Sequence, residues 1–303
     1  MTQRMARGHR LPRGDGRAAL AYLTPALLVL GGLMAYPIYQ LVLISLFDYG
    51  QEQVSGGAPL VFLGLGNYTE LLADKQFWTV LWQTVGFAAT CVVGTLVVGA
   101  ALAVLATRVR TWARTLLFLA ALGAWATPAV AGSTIWLFLF DANFGLVNEV
   151  LGSTGFSWTF DRWTAFGLVA AQVVWCSFPF VMVTLYAGIK AIPQEVVEAA
   201  ALDGASTVRT ARSVLLPLLR PLILVVTIQS VIWDFKVFTQ IYVMTSGGGI
   251  AGRNLVLNVY AYQQAFAASE YGLGATIGVV MTALLLLITI GYLRALRKSG
   301  EEL

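Results

Sequence analysis

Six apolar runs, at residues 18–47, 77–106, 115–140, 163–189, 221–244 and 271–293, set the limits on what this chain can fold into. Each exceeds the roughly 20 residues with which a helix crosses the hydrocarbon layer of a bilayer. Backbone in lipid must satisfy its own hydrogen bonds, so runs of this length read as helices. Only 11% of the 303 residues are charged and 58% are hydrophobic, where soluble domains carry about 25% charged residues. No single globular core could shelter that much apolar surface. The expected fold is all-α: a polytopic membrane protein with six transmembrane helices. A polar tail occupies residues 1–17, the transmembrane domain residues 18–294 and a second tail residues 295–303.

The first run follows Arg4, Arg7, Arg10, Arg13 and Arg17. A basic start before an apolar stretch also marks a cleaved signal peptide, but this run is longer than the roughly 7–15 residues of a signal core. It reads as an uncleaved span, bent at Pro25 and Pro37. Six spans place both termini on one side of the membrane. The N-terminal tail, the basic turn at 108–114, the loop at 190–220 and the C-terminal end from Arg294 hold 15 of the 19 Lys and Arg. Lys75, Arg162 and Arg253 lie opposite, and Lys236 falls inside a run. Positive residues favour the cytoplasmic side, so both termini and the 190–220 loop are expected there.

The single histidine, His9, is in the N-terminal tail, which leaves none for a Ser-His-Asp or Cys-His site or for a metal cluster. Cys91 and Cys176 both fall in apolar runs, as buried thiols rather than a disulfide framework. The basic residues form short clusters beside apolar runs, a pattern of membrane flanks and not of nucleic-acid binding. Gly247 to Asn254 nearly fits a phosphate-binding loop, but Arg253 and Asn254 replace its lysine and its magnesium-holding hydroxyl. No bound cofactor is expected in this chain.

The 198–217 loop carries the most specific signal. Pro193 suits a helix first turn, and Glu195 and Glu198 favour the positive helix end. Glu195, Glu198, Ala199 and Leu202 share a face by i, i+3, i+4, i+7 spacing. Gly204 can end that helix with positive φ, and Ser206 can cap a second helix that ends before Pro217. Two short helices in an angled hairpin could sit in a groove of another protein and pass on its motion. Glu198-Ala199-Ala200, Gly204 and Leu216-Pro217 resemble the EAA motif of the membrane subunits of binding-protein-dependent ABC importers, with Val214 where the family prefers Ile. The resemblance implies the ABC type I importer permease fold. It also implies docking of Glu198, Ala199, Ala200, Asp203, Gly204, Leu216 and Pro217 on a separate ATPase, which binds ATP and Mg.

The fifth run holds Trp233, Asp234, Phe235 and Lys236 near its middle, where charges usually face a cavity or a partner. Asp234 and Lys236, two apart, point to different sides of a helix and do not pair there. Phe235, Phe238, Thr239 and Tyr242 recur at i, i+3, i+4, i+7. Rings with hydroxyls suit a sugar, whose C–H faces stack and whose hydroxyls need partners; a packing stripe would use the same spacing. Trp125 and Thr127 before Pro128, Trp136, and Trp175, Ser177 and Phe178 before Pro179 are further midspan candidates, although packing is the commoner role of such rings. Gly274 and Gly278 read as close helix packing.

Tyr36-Pro37-Ile38, Ser45-Leu46-Phe47-Asp48, Phe62-Leu63-Gly64-Leu65-Gly66-Asn67-Tyr68 and Phe144-Gly145-Leu146-Val147-Asn148 are similar to carbohydrate-importer permeases of the MalF/UgpA group. So is Val243-Met244-Thr245-Ser246-Gly247-Gly248, with Gly249 where the group usually has proline. The segment from Trp233 to Gln240 looks like permeases for chitobiose or other oligosaccharides of high-GC Gram-positive bacteria. The group implies a heterodimer with a second permease, two ATPase subunits, an extracytoplasmic solute-binding (lipo)protein and a sugar substrate, in a bacterial plasma membrane. A secondary transporter driven by an ion gradient is the alternative, with Asp234 its one deep acidic residue. A membrane enzyme is disfavoured by the lack of histidine or clustered carboxylates in the spans.

Overall fold

The structure, a computed structural model, describes residues 15–298. The arginines at 4–13, His9 and the last five residues lie outside that range. In chain order the outer layer begins with α1 (Asp15–Ile44), β1 (Phe47–Asp48), α2 (Gln51–Val54), β2 (Val61–Phe62) and α3 (Gly66–Ala73). The long α4 (Lys75–Arg108) follows, then α5 (Thr111–Ala126), α6 (Ala129–Leu139), α7 (Leu146–Leu151) and α8 (Arg162–Ala191). The short helices α9 (Gln194–Leu202) and α10 (Thr207–Thr210) lead through a π-helical turn (Ala211–Leu215) into α11 (Leu216–Phe235). The chain ends with α12 (Thr239–Met244), α13 (Leu257–Tyr262), a second π turn (Gln263–Ala267) and α14 (Tyr271–Lys298). Among the described residues the only sheet is the antiparallel β1–β2 ribbon, with Phe47 opposite Phe62.

Among the described residues five helices are long and apolar enough to cross a membrane, and α5 with α6 makes a sixth if that bent pair is one span. Two runs depart from a single helix over the expected range. The third is bent by 106° between α5 and α6. Pro128 follows an extended Thr127 there, because proline disfavours a helical preceding residue. The fifth is displaced: its helix covers Ala211–Phe235 rather than 221–244 and stops before Val237. Pro179, Pro25 and Pro37 lie within unbroken helices.

The spine is the α4–α8 pair. A Cβ on Gly99 would lie 2.7 Å from Val181 and 3.1 Å from the Phe178 carbonyl, so glycine lets the backbones approach. Two apolar clusters flank this pair. One gathers Phe77, Val80, Phe87, Val169, Val173, Ile241 and Leu257; the other gathers Ala103, Ala121, Val181, Met182 and Val226. Gly274 and Gly278 are packing positions, as their spacing predicts. Added Cβ atoms would meet Ala265 at 2.6 Å and Leu41 of α1 at 3.3 Å.

Candidate functional site

Asp234 closes the last turn of α11. It is only 3% exposed, and its Oδ2 has no hydrogen-bond partner among the described residues. Cys91, halfway along α4, lies within electrostatic reach of its carboxylate. Two residues later the helix ends. Lys236 N donates to Trp233 O at 3.1 Å, and Phe238 leaves helical geometry at φ −126° and ψ −62°. Asn258 of α13 donates its Nδ2 to the Lys236 carbonyl at 2.6 Å, which satisfies backbone that the break sets free. Lys236 is exposed while Asp234 is buried, so the two charges point apart.

The break opens onto a cavity of about 450 Å³, within the size range of small-molecule sites. Its walls come from three spans. Trp125, Thr127 and Ala129 line it from the α5–α6 bend, and Val173, Cys176 and Ser177 from the middle of α8. Trp233, Asp234, Phe238, Thr239 and Gln240 line it from the broken fifth span. Discontinuous helices at midspan offer such a cavity both side-chain hydroxyls and unpaired backbone groups. Buried Gln172 donates to Cys176 Sγ at 3.3 Å from one turn back along α8.

Of the candidates read from sequence, Trp125, Thr127, Ser177, Trp233, Asp234, Phe238 and Thr239 meet at this cavity. Trp136, Phe178 and three more do not. Phe235 is 4% exposed and belongs to the apolar core. Trp175 packs on Trp136, their ring centroids 6.1 Å apart. Tyr242 stacks on Phe238 at 5.2 Å but stands beyond the cavity. The supposed common face of Phe235, Phe238, Thr239 and Tyr242 does not exist as a helical stripe, because the helix breaks between the first and second of them. Gln240 was not singled out by sequence; its place beside Thr239 was the available signal.

The second site is the loop below α8. α9 is exposed at every position except Ala200. Leu202, an apolar side chain on a polar loop, is 89% exposed. Gln194 Nε2 donates to Glu198 Oε1 at 2.8 Å along one face. The helix closes in a Schellman pattern: Ala205 N donates to Ala200 O and Gly204 N to Ala201 O, each at 3.0 Å, with Gly204 at φ +75°. Ser206 caps the next helix through Arg209 N at 3.4 Å. That helix does not end before Pro217, as its sequence suggests. The π turn, where Leu216 N donates to Ala211 O, absorbs the proline, and the chain stays helical from Thr207 to Phe235. A cavity of about 320 Å³ separates Val197, Ala201 and Ala205 from Val104 and Arg108 at the end of α4.

The glycine-rich segment that mimics a phosphate loop is built differently. Ser246 and Gly247–Gly249 all have positive φ, Asn254 N donates to Gly248 O at 2.7 Å, and Asn254 Nδ2 donates to the Arg162 carbonyl. The Asn254 side chain thereby ties this turn to the start of α8.

The family model for the binding-protein-dependent transport system inner membrane component matches residues 95–299. The chain is 37% identical over 302 residues to the diacetylchitobiose uptake system permease protein DasB of Streptomyces coelicolor, covering 98% of this chain and 92% of that one. It is 33% identical to the sulfoquinovosyl glycerol transport system permease protein SmoG of Agrobacterium fabrum, covering 95% and 92%. Its fold is similar to a chain of a bacterial ABC transporter that imports the acidic polysaccharide alginate, at a TM-score of 0.79 and 16% identity, covering 95% of this chain and 97% of that one.

Proposed function

The chain belongs to the family of binding-protein-dependent transport system inner membrane components, and on that premise we propose that it is the sugar-translocating permease of an ATP-driven importer. It is a multi-pass membrane component and not itself an enzyme. In this reading a binding protein delivers the sugar from outside, a second permease completes the cavity at the α11 break, and one of the complex's two ATPases docks on α9. ATP and magnesium are held by those ATPases. Both termini and the 198–217 loop face the cytoplasm. The family membership sets aside the ion-gradient alternative.

One observation carries the proposal: a single helical run joins the two sites. From Thr207, beside Gly204, it continues to Phe235, beside Asp234, a rod of about 43 Å at 1.5 Å per residue. Movement passed from α9 through the Gly204 turn therefore reaches the cavity wall along one continuous helical run. At the far end Trp233 and Asp234 are fixed to the rod, while Thr239 and Gln240 are fixed to α12. Tilting the rod changes the opening between them, which is what alternating access requires. The sugar assignment rests on the mixture of rings, hydroxyls and one carboxylate around the cavity, and on relatives that carry diacetylchitobiose and sulfoquinovosyl glycerol.

The test is uptake by the complete complex, isolated from its own cells and reconstituted into vesicles. Uptake of a sugar that needs ATP and the binding protein, and withstands an ionophore, is the expected result. Uptake that ignores ATP and collapses with the ionophore would overturn the assignment.

A further inference from the structure

Six aromatic rings follow one another from the cavity to the outer loops. Phe238, which lines the cavity, stacks on Tyr242 at 5.2 Å with 18° between planes. Tyr242 meets Tyr262 at 5.3 Å, Tyr262 meets Phe266 at 5.0 Å, Phe266 meets Tyr271 at 6.2 Å and Tyr271 meets Tyr49 at 5.9 Å. The rings come from the residue that precedes α12 and from its middle, from the end of α13, from the second π turn, from the start of α14 and from the segment after β1. No single helix periodicity produces this line. The π turn, closed by Ala268 N donating to Gln263 O at 2.8 Å, directly follows Tyr262 and carries Phe266.

Tertiary packing does not account for the ladder, because its middle is open. Tyr242, Tyr262 and Phe266 are 37%, 39% and 63% exposed. Polar groups run beside the rings. Tyr271 Oη donates to Gln51 Oε1 at 3.1 Å, Gln263 Nε2 donates to Gly247 O at 2.6 Å, and Gln240 stands at the inner end. A lipid-facing belt would present rings without this density of amides and backbone carbonyls. Open rings flanked by hydrogen-bonding groups match a pyranose, which is apolar on its C–H faces and polar around its edge.

We propose that this ladder is an extended saccharide site, on which a linear oligosaccharide of neutral pyranose units lies as it passes from the outer loops to the cavity. The proposal rests on the importer reading above and adds to it the cargo class and the outer part of the route. Each ring-to-ring step is about one sugar unit long, so cargo longer than a disaccharide gains a contact per unit. The outer rings then matter more as the oligomer lengthens.

The complete complex in vesicles is given chito-oligosaccharides and malto-oligosaccharides of two to five units, and vesicle contents are read by mass spectrometry. Phe266→Leu and Tyr262→Leu keep an apolar side chain but remove the π face; Phe266→Tyr keeps it. The leucine variants are expected to raise the KM of the longest oligomer that enters by about fivefold, the scale of one aromatic contact. The disaccharide should change less, and Phe266→Tyr should behave as the parent. If the leucine variants match the parent at every length, the ladder is a lipid or partner-permease surface and the proposal falls while the importer reading stands. If none of these sugars enters the parent vesicles with ATP, the cargo is not a linear neutral oligosaccharide and the ladder proposal falls, while the importer reading is decided by its own ATP and ionophore test.

Discussion

Asn148 is 1% exposed, and its amide donates to the carbonyls of Asp141 at 3.0 Å and Phe156 at 2.9 Å. Its Oδ1 accepts from Ser153 Oγ and Trp158 Nε1. Asn67 does similar work across the membrane face, donating to Ser45 O and Phe47 O. Both asparagines close Gly-Leu-x-Asn-like stretches that sequence offers only as a likeness; the structure supplies the physical reason, since each amide ties an otherwise irregular loop. Asn148→Ala should strand two carbonyls and two donors and cost about 2–4 kcal/mol. A clear drop in Tm in detergent, with exposed Asn143→Ala close to the parent, is the expected outcome. Asp234 calls for the opposite sign. Its carboxylate is buried and Oδ2 lacks a partner among the described residues, so replacing the charge should remove a desolvation cost. Asp234→Asn is expected to raise stability by about 1 kcal/mol or more while lowering uptake. Unchanged uptake with raised Tm would remove Asp234 from the cargo route.

Gly204 shows how far an element's end is legible in sequence. A glycine after an amphipathic turn predicts positive φ, and the backbone is at φ +75° with no atom within 4 Å of an added Cβ. The glycine is needed for its conformation and not for space. Gly204→Val, β-branched in the left-handed region, should therefore distort the Schellman turn, while Gly204→Asn should be tolerated. The readout is the ratio of sugar imported to ATP hydrolysed in the reconstituted complex. Uncoupling by Val with coupling kept in Asn is expected; equal coupling in all three would separate the loop from the ATPase. The bend at Pro128 is legible for the same local reason. The break at Lys236 is not, because residues 229–240 contain neither Gly nor Pro. The helix ends there with Asn258, 22 residues on, capping the freed Lys236 carbonyl. Local pattern therefore misplaces Phe235 and Tyr242 on one face. The π turn before Pro217 escapes detection likewise, since proline alone predicts a stop and only the surrounding packing decides whether the helix absorbs it.

On the scale of the whole molecule, orientation ties the two sites into one transporter. Lys190, Arg209, Arg212 and Arg220 flank the α9 loop, whereas the opposite face, with α7 and the β1–β2 ribbon, is sparse in basic residues. The positive-inside bias predicts α9 in the cytoplasm and α7 outside. Two exposed residues report on this directly: Leu202 in α9 is 89% exposed and Val150 in α7 is 76% exposed. With Cys91 and Cys176 replaced by alanine, Val150→Cys should react with a membrane-impermeant thiol reagent on intact cells. Leu202→Cys should react only after the membrane is opened or in inverted vesicles, and bound ATPase should shield it. The order of these results separates two claims. Labelling of Leu202→Cys on intact cells would reverse the orientation and take the loop away from ATP altogether. Correct orientation without shielding would leave the topology intact but move the ATPase contact off α9. In that case the helical rod from Thr207 to Phe235 would lack a driver at its cytoplasmic end, and the cavity would have to be switched through another span.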